Sequence, residues 1–384
     1  MDTVLYSDGK PIKIEINNGR ITKLVRKPTK STSSENVVYV APGFIDHQVN
    51  GYLSHAFVGE DLNEEQVEKI TKAFWKKGIT TFYPTLTTES NQVLLRNFGI
   101  LNEILKNGEL AQSLPGFHLE GPYISPLDGF RGAHNPAHIR KPDWEEFKAW
   151  HGASGKRIKE VTIAPEWEGS AEFIKKCREN NIKVALGHTN ANALQINEAV
   201  ALGASLSTHL GNGCANTIHR HHNPIWPQLS NDGLMTCIIA DGHHLTKEEV
   251  RTFYKAKGPD NIILVSDITR LAGMPPGRYK DFDQEVVLTE EGAIMMPSEN
   301  VLAGASFLIT RGIENVIKFT GCSLEQAVHM VTSNPAKALD LEDRGVIAVG
   351  KRADLVYFTL DQGKLDIIKT VVGGKVVFDK VKMH

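Results

Sequence analysis

Phe117-His118-Leu119-Glu120-Gly121-Pro122-Tyr123 follows a Pro115-Gly116 break, runs through mostly apolar residues to a carboxylate and is stopped by Gly121-Pro122. Such a segment reads as a buried strand that delivers Glu120 to its C-terminal edge. In a barrel enzyme that edge is where metal ligands and catalytic groups sit. Seven further apolar runs end in the same way. Before it, they close on Asp46-His47-Gln48-Val49-Asn50-Gly51 and on Thr85. After it come Val161-Thr162-Ile163-Ala164-Pro165-Glu166 and Val184-Ala185-Leu186-Gly187-His188, then runs closing on Ser207-Thr208-His209, on Ile238-Ile239-Ala240-Asp241 and on Leu264-Val265-Ser266-Asp267. Helical patterns such as Asn63 to Lys77 alternate with them, which argues for βα units and a parallel sheet. Eight strands with reactive groups at their C-terminal ends predict an α/β fold built as a (β/α)8, TIM-like barrel.

The two ends of the chain follow a different period. Ile12-Lys13-Ile14-Glu15-Ile16 alternates apolar and polar residues, turns at Asn17-Asn18-Gly19-Arg20 and alternates again through Ile21-Thr22-Lys23-Leu24-Val25. Asn-Gly between two such runs signals a hairpin. Ile367 to Val372, Gly373-Gly374 and Lys375 to Phe378 repeat the pattern near the C-terminus. The expectation is a small β-sandwich domain assembled from residues 1–41 and 345–384 around a catalytic barrel of residues 42–344. The polar stretch from Lys27 to Glu35 reads as a loop in the small domain.

A chain of 384 residues suits one large barrel with an appended minor domain. With 41% hydrophobic and 23% charged residues, neither disorder nor a fibrous class is indicated. A net charge of -2 gives no electrostatic reason to expect nucleic acid or an anionic membrane as partner. The Met1-Asp2-Thr3 start lacks the basic region and apolar run of a signal peptide, and no apolar stretch approaches membrane-spanning length. Cys177, Cys214, Cys237 and Cys322 are scattered without metal or redox spacing. A cytoplasmic protein with reduced thiols is expected.

Glu120, His188 and His209 lie far apart in sequence, so only the strand ends of a barrel would gather them. Two neutral imidazoles and one carboxylate suit zinc, with open positions left for water and substrate. Asp267, ending the eighth strand, could take a proton from an activated water and return it to a leaving amine. Gln48 and Asn50 stand after the first strand, where a two-metal site would want paired histidines, and neutral amides are poor metal ligands. One metal is therefore expected, with His47 and His55 structural.

The ordered set Pro42-Gly43-Phe44-Ile45-Asp46, His118-Leu119-Glu120-Gly121-Pro122, Gly187-His188-Thr189-Asn190, Thr208-His209-Leu210, Ala240-Asp241-Gly242-His243-His244 and Ser266-Asp267 resembles the motifs of the N-acetylglucosamine-6-phosphate deacetylases of the amidohydrolase superfamily. Gly350-Lys351-Arg352-Ala353-Asp354-Leu355 is similar to that superfamily's return into its small β domain. The resemblance implies that Glu120, His188 and His209 hold a single divalent metal and that Asp267 is the catalytic acid/base. It places His134 and His244 near the substrate, His134 helping to polarise the acetyl carbonyl. Ala133, Asn212, Gly213, Leu302, Ala303 and Gly304 would line the pocket. It also implies a homodimer with the site near the interface.

The departures concern the far end of the substrate. Where the family usually shows Tyr-Asn-Ala-Met, this chain has Gly211-Asn212-Gly213-Cys214. The family arginine that contacts the sugar phosphate falls on Arg220 when counted forward from His209 and on His222 when counted back from Pro224. An arginine there would clamp phosphate through two hydrogen bonds; a histidine would not. The cluster from His219 to His222 could serve a phosphate, another substituent or a subunit interface. The expected activity is metal-dependent deacetylation of an N-acetylated amino sugar, with N-acetylglucosamine 6-phosphate first and an unphosphorylated or differently configured sugar as the alternative. Two rivals are a cyclic-amide or N-acyl-amino-acid hydrolase and a catalytically silent barrel. Gln48, Asn50 and the absence of a lysine beside Glu166 speak against the first, and the complete ligand set with Asp267 against the second.

Overall fold

The computed structural model describes residues 3–28, 37–106, 108–281 and 284–383. The expected loop from Lys27 to Glu35 lies, from position 29 onward, outside the described residues. Eight parallel strands stand side by side in chain order: β1 (Phe44–Val49), β2 (Ile79–Thr87), β3 (Phe117–Glu120), β4 (Ile158–Ile163), β5 (Lys183–Leu186), β6 (Ala204–Ser207), β7 (Met235–Ile238) and β8 (Ile262–Leu264). The cylinder closes where Val49 bridges Ile268 in parallel. There the Asp267 N–H donates to the Gln48 carbonyl at 3.0 Å and the Asn50 N–H to that of Ile268 at 2.9 Å. That seam puts the ends of β1 and β8, with Gln48, Asn50 and Asp267, against one another.

The helices cover the barrel with apolar stripes at helical spacing. In the helix Glu64–Trp75 the Asn63 side chain caps the start by accepting from the Gln66 N–H, and Val67, Ile70 and Phe74 face inward. Phe74 meets Phe82 of β2 edge to face, with ring centroids 4.8 Å apart. Burying such a ring contributes about 1.5–3 kcal/mol, so the stripe holds the helix rather than propensity alone.

The small unit draws on both ends of the chain. Its five-stranded sheet orders Thr3–Leu5, Val38–Pro42, Leu355–Asp361, Lys364–Val372 and Lys375–Asp379, and the hairpin Ile12–Asn17 with Arg20–Arg26 lies beside it. Ile12, Ile21, Val40, Ala353, Leu355 and Val371 form the core between them. Asn18 and Gly19 take φ of 48° and 76°, and Gly373 and Gly374 take 53° and 81°, as the two hairpin turns require. The two turns touch, and a Cβ on Gly19 would stand 2.8 Å from the Gly373 carbonyl oxygen.

One element was not anticipated. Between β8 and the helix Ile309–Thr320 the chain forms a four-stranded antiparallel sheet of Gly277–Asp281, Gln284–Leu288, Ile294–Met296 and Val301–Leu302. It carries its own core of Leu271, Val286, Leu288, Ile294, Met296 and Ala303, with Ala133 packed against it. No helix of the described residues is long and apolar enough to cross a membrane.

Candidate active site

Each strand end delivers its reactive residue through a local bend. Glu120 closes β3 and is buried. His188, His209 and Asp267 lie two or three residues beyond β5, β6 and β8, with φ of 48°, 25° and 51°. Side chains other than glycine avoid this left-handed region, at a cost of about 1–3 kcal/mol per residue, and they keep it where the surroundings impose it. The strands therefore end earlier than their apolar runs suggest.

The bends bring three donor atoms together. His209 Nε2 stands 2.9 Å from Glu120 Oε1, His188 Nε2 stands 3.3 Å from the same oxygen, and the two Nε2 atoms are 3.2 Å apart. His188 Nδ1 lies 3.0 Å from the Phe130 carbonyl, which can only accept; Nδ1 therefore carries the proton and Nε2 presents its lone pair to the cluster. Two glycine backbones hold the same ring. A Cβ on Gly132 would stand 2.9 Å from His188 Cε1 and one on Gly213 would stand 2.7 Å from its Nδ1.

Asp267 faces the trio across one amide. Gln48 Nε2 donates to Glu120 Oε1 at 3.0 Å and to Asp267 Oδ1 at 3.2 Å, and Asn50 Nδ2 donates to Asp267 Oδ1 at 2.7 Å. Sequence reasoning had weighed Gln48 and Asn50 only as failed ligands. Their two-residue spacing at a strand end, which points both inward, was the available signal.

A cavity of about 480 Å³ opens over this cluster. Ala133, His134, Asn212, Gly213, His244, Leu302, Ala303 and Gly304, all expected near substrate, line it together with Glu120, His188, His209 and Asp267. His134 Nδ1 pairs with Thr88 Oγ1 at 2.8 Å, and its ring meets that of His188 edge on at 4.4 Å. His244 Nδ1 donates to Asp241 Oδ2 at 2.8 Å. The inserted sheet forms one wall, and Arg131 ties it to the His134 loop. Its guanidinium pairs with Glu299 at 2.7 Å and donates to the Gly132 carbonyl.

Arg220 is not brought to this cavity, and neither is His222. His219 Nδ1 accepts the N–H groups of His221 and His222 at 3.1 and 3.0 Å, and Asn223 holds the His219 carbonyl at 2.8 Å. The chain thus coils on itself, and positions 219 to 222 are all exposed.

Residues 39–377 match the amidohydrolase family. The chain is 34% identical to the N-acetylglucosamine-6-phosphate deacetylase of Lysinibacillus sphaericus over 83% of this chain and 81% of that protein. It is 30% identical to the enzyme of the same name from Bacillus subtilis (strain 168), over 98% and 96%. The chain belongs to the amidohydrolase family. Its fold superposes with a TM-score of 0.85 on a Mycobacterium smegmatis N-acetyl-D-glucosamine-6-phosphate deacetylase solved with N-acetyl-D-glucosamine-6-phosphate, at 26% identity over 96% of this chain and 94% of that one.

In this amidohydrolase the charges at the barrel mouth sort the carboxylates apart. Burial works against ionised Glu120, but the His188 and His209 imidazoles beside it outweigh burial and hold the acid well below its usual range. Burial, with the Glu120 charge added, pushes Asp267 up to about 7. Burial and then the neighbouring His188 press His134 down to about 3, so its imidazole is neutral. A permanently ionised acid beside one poised near neutrality is the pairing expected of a ligand and a proton carrier. Glu166, in the region where a second metal's ligands would be sought, instead accepts from the Thr189 hydroxyl and, at 2.8 Å, from the Asn190 N–H.

Proposed function

We propose that this amidohydrolase removes the acetyl group from an N-acetylated amino sugar with one divalent metal, zinc, held by Glu120, His188 and His209. The observation that carries this is the trio's spacing of 2.9 to 3.3 Å opposite Asp267. Ligand atoms about 2.0–2.1 Å from a tetrahedral zinc lie roughly 3.3 Å from one another, so the three fit such an ion. Atoms of Glu120, His134 and His188 also lie within 4.8 Å of one another. We take the tighter trio as the ligands and keep His134 for substrate.

Bound there, the cation supplies Lewis acidity, polarising an acyl oxygen and acidifying water. Asp267, steadied by Asn50 and Gln48, takes the proton of the attacking water and returns it to the sugar nitrogen as the C–N bond breaks. With the Thr88 hydroxyl donating to Nδ1, neutral His134 keeps its proton on Nε2 and donates it toward the oxygen that gains charge. The inserted sheet lines one side of the cavity through Met295, Val301 and Leu302. Four free thiols support a reducing compartment such as the cytoplasm. The homodimer rests on the resemblance, and light scattering reads it directly.

The test is acetate release from N-acetylated hexosamines by purified protein. Activity should vanish on chelation and return with about one equivalent of zinc per chain; full activity after complete metal removal would refute the reading. A narrower prediction concerns the cradle of His188. Gly132 has a φ of 55° and no room for a Cβ. Gly132→Ala should therefore weaken zinc affinity about 10- to 100-fold in competition with a chelating dye, the range seen when support behind a ligand is lost.

A further inference from the structure

Granted the deacetylase reading above, His134 must hold its Nε2 proton close to the acyl oxygen, yet it stands on a turn and not on a strand. Its contact with Thr88 orients the ring and leaves the backbone beneath it to be fixed by something else. That backbone bends at two left-handed glycines, Gly129 with φ of 81° and Gly132 with φ of 55°, and glycine is the residue that leaves a chain most other conformations to visit. Between them sits Arg131, which does not line the cavity and whose side chain is 10% exposed. Its neighbours all serve the reacting centre. Phe130 and Gly132 hold the His188 ring, Ala133 packs on the core of the inserted sheet, and His134 lines the cavity.

The planar guanidinium meets three parts of the molecule at once. Nη1 donates to the carbonyls of Gly132 and His134 at 3.3 and 3.4 Å, Nε and Nη2 donate to Asp128 Oδ1 at 3.2 and 3.1 Å, and Nη2 pairs with Glu299 Oε2 at 2.7 Å. Asp128 is 94% exposed, and a pair so open to water contributes little. Glu299 is 24% exposed and has support of its own. It lies in the turn between Ile294–Met296 and Val301–Leu302, where Gln284 Nε2 donates to its other oxygen at 3.3 Å. Glu299 is therefore the fixed point, from which the guanidinium sets the backbone on both sides of Ala133.

We propose that Arg131 is a positioning residue for deacetylation: anchored on Glu299, it holds the Gly132 and His134 carbonyls and so aims the imidazole that meets the developing oxyanion. Lysine is no equivalent, because one ammonium group cannot span a carboxylate and two carbonyls as the guanidinium fork does.

The test measures acetate release by the zinc-loaded protein from N-acetylglucosamine, N-acetylgalactosamine and their 6-phosphates, and follows the sugar turned over fastest. A misplacement of about 1 Å can lower a rate about a hundred-fold. Arg131→Ala should thus lower kcat about ten- to a hundred-fold with KM nearly unchanged, as expected when a contact made in the transition state is lost. Zinc content should hold, since the Phe130 carbonyl that steadies His188 belongs to a turn closed by the N–H groups of Phe130 and Arg131 on the Leu127 carbonyl. Arg131→Lys should recover part of the loss, and Glu299→Gln, which keeps an acceptor, should lose less than Arg131→Ala. In a His134→Ala background, Arg131→Ala should lower kcat no further, because the two residues act as a unit. If Arg131→Ala does not fold, Glu299→Gln carries the same comparison in both backgrounds. Normal kcat, loss of zinc, or an equal loss of kcat with and without His134 overturns this inference and leaves the deacetylase reading standing. Acetate from none of the four sugars with the unaltered protein overturns both.

Discussion

Asp267→Asn is expected to lower turnover about a hundred- to ten-thousand-fold while zinc content stays at the level of the unaltered protein. The substitution is nearly isosteric, and an amide oxygen at the Oδ1 position still accepts from Asn50 Nδ2 and Gln48 Nε2, which now stand 2.7 and 3.2 Å away. What disappears is the group that takes and returns a proton. The pH profile follows from the same residue. Burial and the Glu120 charge raise Asp267 to about 7, and a divalent cation nearby draws it down again. Asp267 must be ionised to act as base, so kcat/KM should rise with pH along an acid limb of unit slope whose midpoint lies below about 7. Metal analysis beside a steady-state assay checks the first claim. An Asn variant that turns over normally, or one that has lost its zinc, would remove Asp267 from the role assigned to it.

Much of this arrangement could be read from the chain because barrel strands are written as apolar runs with a reactive residue at the stop. Glu120, His188, His209 and Asp267 were found that way, and only the strand ends shifted, since left-handed bends at His188, His209 and Asp267 intervene. Gln48 and Asn50 were misweighed because a neutral amide carries no sign of what it will hold; their partner Asp267 is brought beside them by closure of the cylinder. The inserted sheet escaped notice because its strands are two to five residues long, too short for a period to stand out. The direction of Arg220 depends on hydrogen bonds that His219 and Asn223 make within a loop, which residue spacing does not encode. The inserted sheet apart, each miss concerns an orientation fixed by a distant or local polar partner.

The second large effect lies one layer below the site. His47 of β1 and Glu160 of β4 are each 1% exposed, and His47 Nδ1 stands 2.6 Å from Glu160 Oε2 inside the barrel. Sequence reading had His47 as structural, and this pairing gives the reason. His118, two residues before Glu120 on β3, pairs with the Thr162 hydroxyl at 2.8 Å and is held below its usual range, first by burial. Burial opposes charge on His47 too, but the Glu160 carboxylate overrides it and lifts the imidazole well above its usual 6.5. Glu160, penalised by burial, is drawn below its usual 4.5 by His47. Glu160→Ala should therefore destabilise the protein by about 3–5 kcal/mol, because it strands a buried imidazolium, and Glu160→Gln, which can still hydrogen-bond, by less. The sign with pH is fixed by the two shifts. A raised histidine contributes fully below 6.5 and loses its contribution as pH climbs through its folded value; a lowered carboxylate contributes above 4.5 and loses it as pH falls through its own. The gap in Tm between the unaltered protein and Glu160→Ala should thus be widest between those two values and narrow toward alkaline pH and toward strong acid. Thermal unfolding across that range checks it, and a gap that stays constant or widens with rising pH would mean that His47 is buried neutral and that the barrel interior carries no ion pair.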